Sequence, residues 1–382
     1  MKDPVRYAMI GGGEGAFIGP VHRVAAAIAG NCRLVAGALS SDPERARRSG
    51  EAIGLAPGRC YGSYAELLEA ERALPADERI EFVAIVTPNH VHAPAAIAAL
   101  EAGFPVLCDK PLTGTLGAAL ALEAAAARAG RLVGVTHTYA AYPMIRQARA
   151  LVADGALGPV RRVSVRYTQG WLGRAEDAGG KQAEWRTDPA RSGLAGAFGD
   201  IGTHAFNLVE FVTGRRMTRL SAELRTAVPG RVLDDDGAAL FHLEDGARGT
   251  LIASQVCTGD ANALELSVWG EEAALHWRQE RPDALRLAKR NAPEELWTSG
   301  LDRAYLGPAA SGVTRLPSGH PEGYLEAFAN IYRDFAEAVR GRPPTEPCYA
   351  SLADGVAGMR FIQAAHDSSA RDAAWVDLAG KA

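Results

Sequence analysis

Apolar and polar positions in the first third of the chain follow two alternating patterns. Short apolar runs at 7–10 and 82–87 precede stretches with helical spacing at 21–29 and 91–102. Strands that alternate with helices in this way build parallel sheets with right-handed crossovers. The pattern therefore predicts a doubly wound parallel sheet, the Rossmann type of α/β domain. Further strands are predicted at 34–39, 105–108 and 132–135, and further helices at 43–53 and 115–129.

A second pattern begins near residue 140, where apolar residues start to alternate with polar ones at a period of two. Val163 and Val165, for example, are separated by serine and flanked by arginines, as expected for strands with one buried face. The runs 238–243 and 249–255 flank a Glu-Asp-Gly turn, which predicts a β-hairpin. These strands indicate an open, mainly antiparallel sheet.

The change of pattern also predicts the domain organisation. Residues 1–140 are predicted to form the Rossmann domain, and residues 141–382 an α+β domain that carries the antiparallel sheet. A helix is predicted at 144–153. The amphipathic stretch 324–339 is predicted to cover one face of the second sheet. The segment 281–319 has little periodicity and is expected to be a long loop or an edge segment.

Composition narrows the class of protein. The 382 residues are 47% hydrophobic and 23% charged, which is ordinary for soluble globular domains. A net charge of −4 gives no basic surface, so nucleic acid and anionic membranes are not expected partners. No Cys-x-x-Cys pair is present, so neither a disulfide framework nor a zinc knuckle is predicted. We expect a cytoplasmic protein without signal or transmembrane segment.

The first candidate site is the glycine-rich turn after the first predicted strand. Gly11-x-Gly13-x-x-Ala16 fits the dinucleotide-binding fingerprint, because glycines allow the tight turn and the close approach of a diphosphate to the helix N-terminus. At the end of the next strand, Ser40 stands where an aspartate would favour NAD. Arg45 could meet the 2′-phosphate of NADP, while Asp42 could still reach a ribose hydroxyl. The choice between NAD and NADP stays open. The predicted cofactor contacts here are Gly11, Gly13, Gly15, Ala16, Phe17, Ile18, Ser40, Ser41 and Arg45.

Two further motifs follow predicted strands, where ligands of doubly wound sheets bind. Thr87-Pro88-Asn89 with His92 is expected to shape the nicotinamide pocket, and Asn89 to cap the next helix. Its two histidines are a poor ligand set, so no metal is predicted. Lys110 follows another strand, and desolvation beside a positively charged ring would lower its pKa and suit it to proton transfer.

A third motif lies near the middle of the chain, where Gly196 and Gly199 precede Asp200 and His204. In a helix, residues four apart project from one face, about 40° from each other. A carboxylate and an imidazole would then share one wall of a cavity. Asp200 also fits the N-cap of this helix.

Together these motifs resemble the Gfo/Idh/MocA family of sugar and cyclitol oxidoreductases, over nearly the whole chain. The resemblance rests on the glycine turn, Thr87-Pro88-Asn89 with His92, Asp109-Lys110-Pro111 and Asp200-x-x-x-His204, in that order. It implies an NAD(P)-binding first domain, and a second domain with the substrate pocket and a sheet that forms homodimers or homotetramers. It further implies that Thr87, Asn89, His92, Asp109 and Lys110 line the cofactor site, and that the catalytic residues are Lys110, Asp200 and His204.

The chain departs from the family pattern at two places. Asp109 stands where the family usually has glutamate before Lys-Pro, and the shorter acid alters the expected cofactor contact. Ala140 and Ala141 stand before Tyr142 where many members have an arginine, so the substrate contacts of this segment differ.

Three stretches, at 167–172, 184–189 and 319–324, resemble a branch that acts on pyranose rings, including levoglucosan-type anhydrosugars. Aromatic rings stack on the C–H faces of sugars, while polar side chains pair with hydroxyls. Trp171 and Trp185 fit a buried core or an interface equally well. The acidic run 234–236 predicts a solvated turn. The predicted substrate contacts are Tyr142, Gln169, Trp171, Trp185, Arg186, His204 and His320.

The resulting hypothesis is reversible hydride transfer between a nicotinamide and a secondary hydroxyl carbon of a cyclic sugar, anhydrosugar or cyclitol. His204 would act as general base, oriented by Asp200, and Lys110 would stabilise the alkoxide. Whether Lys110 or His204 removes the proton stays open. The alternatives are a glycoside hydrolase that retains its NAD and a sensor that binds cofactor or sugar without turnover.

Overall fold

The computed structural model describes residues 3–179, 181–194 and 196–378. The chain divides into two compact units. The first runs to Thr138 and also includes Leu325–Val356, and the second holds Tyr139–Tyr324 and the residues from Ala357 onward. Residues 180, 195 and 379–382 of the predicted second domain lie outside the described residues.

Strands and helices are numbered here in chain order. The strands are β1 Val5–Gly11, β2 Cys32–Ala38, β3 Phe82–Val86, β4 Val106–Cys108, β5 Val133–Val135, β6 Val160–Thr168, β7 Met217–Arg225, β8 Asp236–Leu243, β9 Arg248–Ser254, β10 Ala263–Gly270, β11 Ala273–Arg278, β12 Ala284–Lys289, β13 Glu295–Thr298, β14 Ala350–Ser351 and β15 Val376–Asp377. The α-helices are α1 Ile18–Ala29, α2 Pro43–Ala52, α3 Tyr64–Ala73, α4 Asn89–Glu101, α5 Leu116–Ala129, α6 Pro143–Ala153, α7 Lys181–Arg186, α8 Pro189–Ser192, α9 Thr203–Thr213, α10 Pro308–Ser311, α11 Tyr324–Val339 and α12 Leu352–Ser369.

The first unit is built on a parallel sheet with the order β5-β4-β3-β1-β2, which β14 extends as an antiparallel edge strand beside β5. All residues of β3 are buried, because helices cover both faces of such sheets. β2 lies on one side of β1 and β3 on the other, so the direction in which successive strands are added to the sheet reverses at β1. Ligands of doubly wound sheets bind beyond the carboxyl ends of strands at this switch point. The predicted Rossmann fold is confirmed.

Helix α11 packs on the first sheet. Its Tyr332 ring lies 5.6 Å from the ring of Tyr7, and its Phe335 ring lies 5.2 Å from the ring of Phe82. The prediction that the helix at 324–339 covers the second sheet is therefore wrong. An amphipathic stripe shows that a helix needs an apolar surface, but not which sheet supplies that surface.

The second unit is built on a sheet with the order β13-β12-β11-β10-β6-β9-β8-β7-β15. Neighbouring strands are antiparallel, except that β6 and β9 are parallel. Helix α9 contacts β6, β9 and β10, and helix α6 contacts β11 and β12. The predicted open, mainly antiparallel sheet is confirmed, as is the hairpin formed by β8 and β9.

The segment 281–319 is not a long loop, since it contains β12, β13 and the short helix α10. Leu285 and Leu287 of β12 are fully buried, and arginine separates them. Two apolar positions are too few to reveal a strand by periodicity. The expectation of an edge segment is correct for β13, which ends the sheet.

No helix within 3–179, 181–194 and 196–378 is long and apolar enough to cross a membrane. In the same part of the chain, no three His, Cys, Asp or Glu side chains are grouped so that they could hold a metal ion.

Candidate active site

The turn between β1 and α1 has a backbone that requires glycine. Gly11 and Gly15 have positive φ angles of 83° and 73°, which residues with a Cβ rarely adopt. A Cβ on Gly13 would lie 2.5 Å from the carbonyl oxygen of Leu39. The main chain of the turn therefore lies directly against the residue after β2, and the N–H of Gly13 donates to the Leu39 carbonyl oxygen over 3.0 Å.

The start of α1 lies against the same turn. A Cβ on Gly19 would lie 2.1 Å from the carbonyl oxygen of Gly12, so the close approach of α1 to the turn occurs at Gly19. The helix begins at Ile18, and no side chain caps its N-terminus. Main-chain N–H groups at such a helix start bind phosphate. The turn and helix together fit the diphosphate of a dinucleotide.

The end of β2 carries the candidate ribose-binding residues. Asp42 accepts a hydrogen bond of 2.7 Å from the main-chain N–H of Arg45 and so caps α2. The Arg45 Nε donates to the Ser40 hydroxyl over 2.9 Å, and Ser41 is exposed beside them. A guanidinium and a hydroxyl thus occupy the position where a ribose-binding acid usually stands.

His92 links the turns that follow β3 and β4. Its Nδ1 lies 2.9 Å from the carbonyl oxygen of Pro111, and its Nε2 lies 2.9 Å from that of Thr87. The buried ring thus lies between the two turns. Because burial lowers the pKa of His92, the neutral ring has one N–H and donates to one of the two oxygens. Asn89 is also buried, but it is the first residue of α4 and not its N-cap. The prediction that Asn89 caps the helix is wrong, because α4 already includes Asn89 and its N-cap is Pro88.

Lys110 follows β4 and is half-buried. The preceding Asp109 accepts, at Oδ1, hydrogen bonds from the main-chain N–H of Lys110 (2.9 Å) and from the Thr136 hydroxyl (2.5 Å). This carboxylate ties together the ends of two neighbouring parallel strands. Burial, and then the positive charge of Lys110, lower the pKa of His137 to about 4. His137 is therefore neutral at pH 7.

Asp200 lies in the second unit, in a π-helical turn, Phe198–Gly202, that leads directly into α9. Its Oδ2 accepts hydrogen bonds from Arg186 Nε (3.0 Å) and Gln255 Nε2 (2.9 Å). Both donors favour an oriented carboxylate. The prediction that Asp200 is the helix N-cap is wrong, because the backbone is already helical before Asp200.

The loop before Asp200 is held by a carboxylate from another segment. Asp234 accepts hydrogen bonds from the main-chain N–H groups of Gly196 (2.6 Å) and Phe198 (2.8 Å). The next acid, Asp235, is 2% exposed and accepts from two main-chain N–H groups at 2.7 and 3.0 Å. The predicted solvated turn at 234–236 is therefore wrong, since main-chain donors take the place of water around these carboxylates.

His204 is buried in α9 beside two tyrosines. The ring of Tyr139 lies 4.8 Å from the imidazole in an edge-on arrangement, and that of Tyr167 lies 6.2 Å away. The two phenol oxygens are 2.5 Å apart. Burial raises the pKa of each phenol, so both keep their protons and act as neutral hydrogen-bonding groups. These rings limit the orientations open to His204.

Asn262 connects the tyrosines to the polar side chains at the end of β6. Its Oδ1 accepts from the Tyr167 hydroxyl and from Gln169 Nε2, both over 2.7 Å, and its Nδ2 donates to the Tyr139 oxygen over 3.3 Å. The amide of Asn262 is thus the central member of a partly buried polar network. Such networks are rigid when their groups are satisfied.

Gln169 extends this network to Asp200. Its Oε1 accepts from Trp171 Nε1 over 2.8 Å and lies 3.5 Å from Gln255 Nε2, which also donates to Asp200. The network therefore runs from the tyrosines beside His204 to the carboxylate of Asp200. Gln255 and Asn262 were missed in the sequence, where no motif includes them. The run that contains Asp234 was noticed, but it was interpreted as a solvated turn.

The remaining predicted substrate contacts are distributed unevenly. The Arg186 guanidinium lies 4.3 Å from the Trp185 ring centre. Because Arg186 also donates to Asp200, both residues lie near that carboxylate. Tyr142 is buried, and its ring stacks on that of Tyr139 at 6.0 Å. His320 lies on an exposed loop, and among the described residues it makes no hydrogen bond to this network.

Residues 5–137 match the oxidoreductase family with an NAD-binding Rossmann fold, and residues 145–276 match the GFO/IDH/MocA C-terminal domain. The uncharacterized oxidoreductase YfiI of Bacillus subtilis (strain 168) is 32% identical to this chain, with 99% of this chain and 98% of YfiI aligned.

This chain is also similar to proteins whose activity or bound ligand is known. Levoglucosan dehydrogenase of Pseudarthrobacter phenanthrenivorans is 28% identical over 80% of this chain and 82% of the relative. Two structures of an inositol dehydrogenase homolog from Azotobacter vinelandii, one with NAD+ and one with NADH and myo-inositol, are 36% identical, cover 99% of this chain and 98% of theirs, and have TM-scores of 0.92 and 0.90. The chain therefore belongs to the Gfo/Idh/MocA family of oxidoreductases and has its NAD-binding Rossmann domain.

Proposed function

We propose that this chain is a dehydrogenase that transfers a hydride between NAD(P) and a secondary hydroxyl carbon of a cyclic sugar, anhydrosugar or cyclitol. The observation that carries the proposal is the Asp200 carboxylate, which Arg186 and Gln255 hold one helical turn before the buried His204. A fixed carboxylate beside an imidazole is the usual means of orienting a general base. The activity of levoglucosan dehydrogenase and the myo-inositol complex of the Azotobacter homolog support a ring substrate.

The mechanism assigns one task to each catalytic residue. The nicotinamide supplies the hydride acceptor. His204 takes the proton of the substrate hydroxyl, and Asp200 keeps the imidazole in the required orientation. Lys110 donates a hydrogen bond to the same oxygen and stabilises its negative charge. Lys110 and His204 can exchange these two roles. Residues 1–140 are assigned to cofactor binding and residues 141–382 to substrate binding.

The substrate wall is proposed to combine aromatic and polar groups of the second unit. Trp171 is 39% exposed, and its indole N–H is held by Gln169. An oriented indole presents its face to the C–H groups of a sugar ring. Trp185, Arg186 and Gln169 would add polar contacts to ring hydroxyls, while Tyr142 and His320 stay predicted contacts. These proposed contacts suit an uncharged ring with several hydroxyl groups.

The primary test is the reduction of NAD, and separately of NADP, followed by near-ultraviolet absorbance with a panel of inositols, glucose, anhydrosugars and glycosides. Net reduction with one class of ring supports the dehydrogenase and identifies its cofactor. Cleavage of glycosides without net reduction would instead indicate the hydrolase that retains its NAD. Tight cofactor binding with no turnover of any compound would indicate the sensor.

Loss of a donor to Asp200 should weaken catalysis. We expect Gln255→Leu to lower kcat about tenfold, because one hydrogen bond to a charged group is removed, and Gln255→Glu to lower it further, because a second carboxylate would face Asp200. Steady-state kinetics and thermal unfolding would measure both variants. Gln363→Leu, which removes an amide bonded to Asp367 in α12, is the matched control. Unchanged kcat in both Gln255 variants would contradict the proposal.

The cofactor preference should depend on Ser40. Ser40→Asp places a carboxylate beside Arg45, which Ser40 already contacts over 2.9 Å. We expect NADP affinity to fall at least about tenfold relative to NAD, because the carboxylate repels a 2′-phosphate and accepts from ribose hydroxyls. Fluorescence titration with NADH and NADPH would measure the ratio. Ser63→Asp, at the N-cap of α3 in the same unit, adds the same charge elsewhere and should leave the ratio unchanged. An unchanged ratio in Ser40→Asp would exclude Ser40 from the ribose site.

We also propose that the chain forms homodimers or homotetramers through the second sheet. Leu240, Ile252 and Trp269 project from one face of β8, β9 and β10 by strand register and are 52%, 40% and 37% exposed. Exposed apolar side chains that share one face of a sheet support an interface there.

We further propose that the protein acts in the cytoplasm. All five cysteines are free thiols, as is usual in a reducing compartment.

Charge on this sheet face should dissociate the oligomer. We expect the double variant Leu240→Glu/Ile252→Glu to run as a monomer in size-exclusion chromatography with light scattering, because buried unpaired carboxylates are costly. Val232→Glu, at a residue 74% exposed in the loop before β8, should keep the wild-type mass. A monomeric wild-type protein, or a double variant with the wild-type mass, would contradict this interface.

A further inference from the structure

A buried histidine of α1 faces the carboxylate that precedes Lys110. The His22 side chain has no exposed surface, and its Nε2 lies 4.0 Å from Asp109 Oδ1. Its Nδ1 lies 2.9 Å from the hydroxyl of Tyr332 in α11. Within the described residues Nε2 has no hydrogen-bond partner. Tyr332, His22 and Asp109 thus form a continuous line of polar side chains inside the first unit. Of the three, only Asp109 has a predicted role, as a cofactor contact.

The tyrosine determines which nitrogen of the imidazole carries the proton. Burial raises the pKa of Tyr332 well above its usual value, so the phenol keeps its proton. In the described part of the chain, His22 Nδ1 is the hydrogen-bond partner of this hydroxyl. Because a buried hydroxyl proton needs an acceptor, Tyr332 donates and Nδ1 accepts.

The neutral ring then carries its single proton on Nε2. Burial is the main cause that lowers the pKa of His22, to about 4, so the imidazole is neutral at pH 7. With Nδ1 occupied as an acceptor, the Nε2–H group is directed to the side where Asp109 lies. The opposite tautomer would bring a nitrogen lone pair toward a carboxylate in a buried environment, which is unfavourable.

The two oxygens of Asp109 have different surroundings. Oδ1 accepts from Thr136 and from the main-chain N–H of Lys110, and it is the oxygen that His22 faces. Among the described residues, no hydrogen-bond donor contacts Oδ2. A carboxylate that is held through one oxygen presents the other in a defined direction, and a hydroxyl is the natural donor to it.

Helix α1 joins this carboxylate to the glycine turn. Arg23, the neighbour of His22, donates from Nη1 to the carbonyl oxygen of Gly12 over 2.8 Å. Successive residues of one helix therefore contact the dinucleotide-binding turn and the Asp109 carboxylate. A displacement of α1 would therefore change the contacts of both the glycine turn and the Asp109 carboxylate.

We propose that His22, with its proton kept on Nε2 by Tyr332, is a positioning residue that orients the Asp109 carboxylate toward a hydroxyl of the bound dinucleotide. The contact between Asp109 and the dinucleotide rests on the cofactor site of the proposed function, whereas the orientation of His22 is a property of the protein alone. The two parts can therefore be tested separately.

The first test is the protonation state of His22 in the protein without cofactor. Ring-15N histidine would be incorporated, and the His22 signal would be identified by its loss in His22→Gln. We expect a neutral ring with the proton on Nε2, and no titration between about pH 6 and pH 9, since an ordinary histidine titrates near 6.5. A proton on Nδ1, or titration in that range, would overturn the proposal.

The second test is a double-mutant cycle on NADH affinity, measured by fluorescence and independent of any substrate. We expect His22→Leu to weaken binding about tenfold, and His22→Gln by less than about threefold, because an amide offers an oxygen to Tyr332 and an N–H to Asp109. In the Asp109→Asn background the effect of His22→Leu should nearly vanish, because His22 acts through that carboxylate.

Each outcome of the cycle has a distinct meaning. An equal effect of His22→Leu in both backgrounds, at matched thermal stability, would show a purely structural role and overturn the proposal. Unchanged NADH affinity in Asp109→Asn would overturn the contact between Asp109 and the dinucleotide. Failure of the dehydrogenase assignment would appear only in the turnover assays, since neither measurement here requires a substrate.

Discussion

The His204→Ala variant is expected to lose at least about a hundredfold in kcat while it keeps its affinity for NADH. Removal of a general base usually costs 10²–10⁴ in rate. His204 is 8% exposed, so water cannot readily replace the imidazole at the substrate hydroxyl. The cofactor contacts were assigned to the first unit, so NADH affinity, measured by fluorescence, should change less than about twofold.

Two controls separate this loss from a folding defect. The His204 ring packs against Tyr139 at 4.8 Å, so thermal unfolding of the variant must be measured beside its kinetics. His366→Ala removes a half-buried histidine of α12 in the same unit and should leave kcat unchanged. Full turnover by a folded His204→Ala protein would exclude the proposed role and leave Lys110 as the residue that removes the proton.

The first sheet was predictable because its signals are local. Each strand is a short apolar run next to a helical stretch, and the crossover rule then determines how they assemble. The second sheet was predictable in type but not in order. Its parallel pair, β6 and β9, joins residues more than 80 positions apart, as the hydrogen bond between Thr250 and Ser164 illustrates. No periodicity along the chain specifies such a partner.

In the candidate site, too, contacts between residues close in sequence were predictable, and contacts between distant residues were not. Asp200 and His204 were found together because one helix carries both at a spacing that the 3.6-residue repeat makes meaningful. Gln255, which is 55 residues from Asp200 in the chain, contacts it only because two segments meet in the fold. Asn262 lies 93 residues from Gln169. Single polar residues of this kind belong to no sequence motif, so their contacts cannot be predicted from the sequence.

The acidic run at 234–236 shows why charge alone misleads. Three successive aspartates suggest exposure, because carboxylates are rarely buried without partners. The main-chain N–H groups of the loop at Gly196 and Phe198 supply those partners for Asp234. Similarly, the sequence of α1 does not reveal that His22 meets Tyr332, which lies 310 residues further along the chain.

Lys110→Met is expected to lower kcat by about 10²–10³, the usual cost of removing one donor that stabilises a developing oxyanion. Methionine keeps much of the length of the side chain but has no N–H donor. Steady-state kinetics would measure the loss, and NADH fluorescence would measure cofactor binding. Lys289→Met, which removes a surface ion pair with Glu295, should leave both unchanged.

A second consequence of Lys110→Met is independent of activity. Burial, and then the positive charge of Lys110, hold the pKa of His137 at about 4 instead of the usual 6.5. Loss of the charge removes a repulsion of the protonated ring, so the pKa should rise, while burial keeps it below 6.5. Because the folded-state pKa lies below the unfolded one, the protein loses stability as pH falls from 6.5 toward 4, and the variant should lose less. An NMR titration of His137 that is unchanged in Lys110→Met would contradict this prediction, because it would show that the ammonium group of Lys110 does not act on the imidazole.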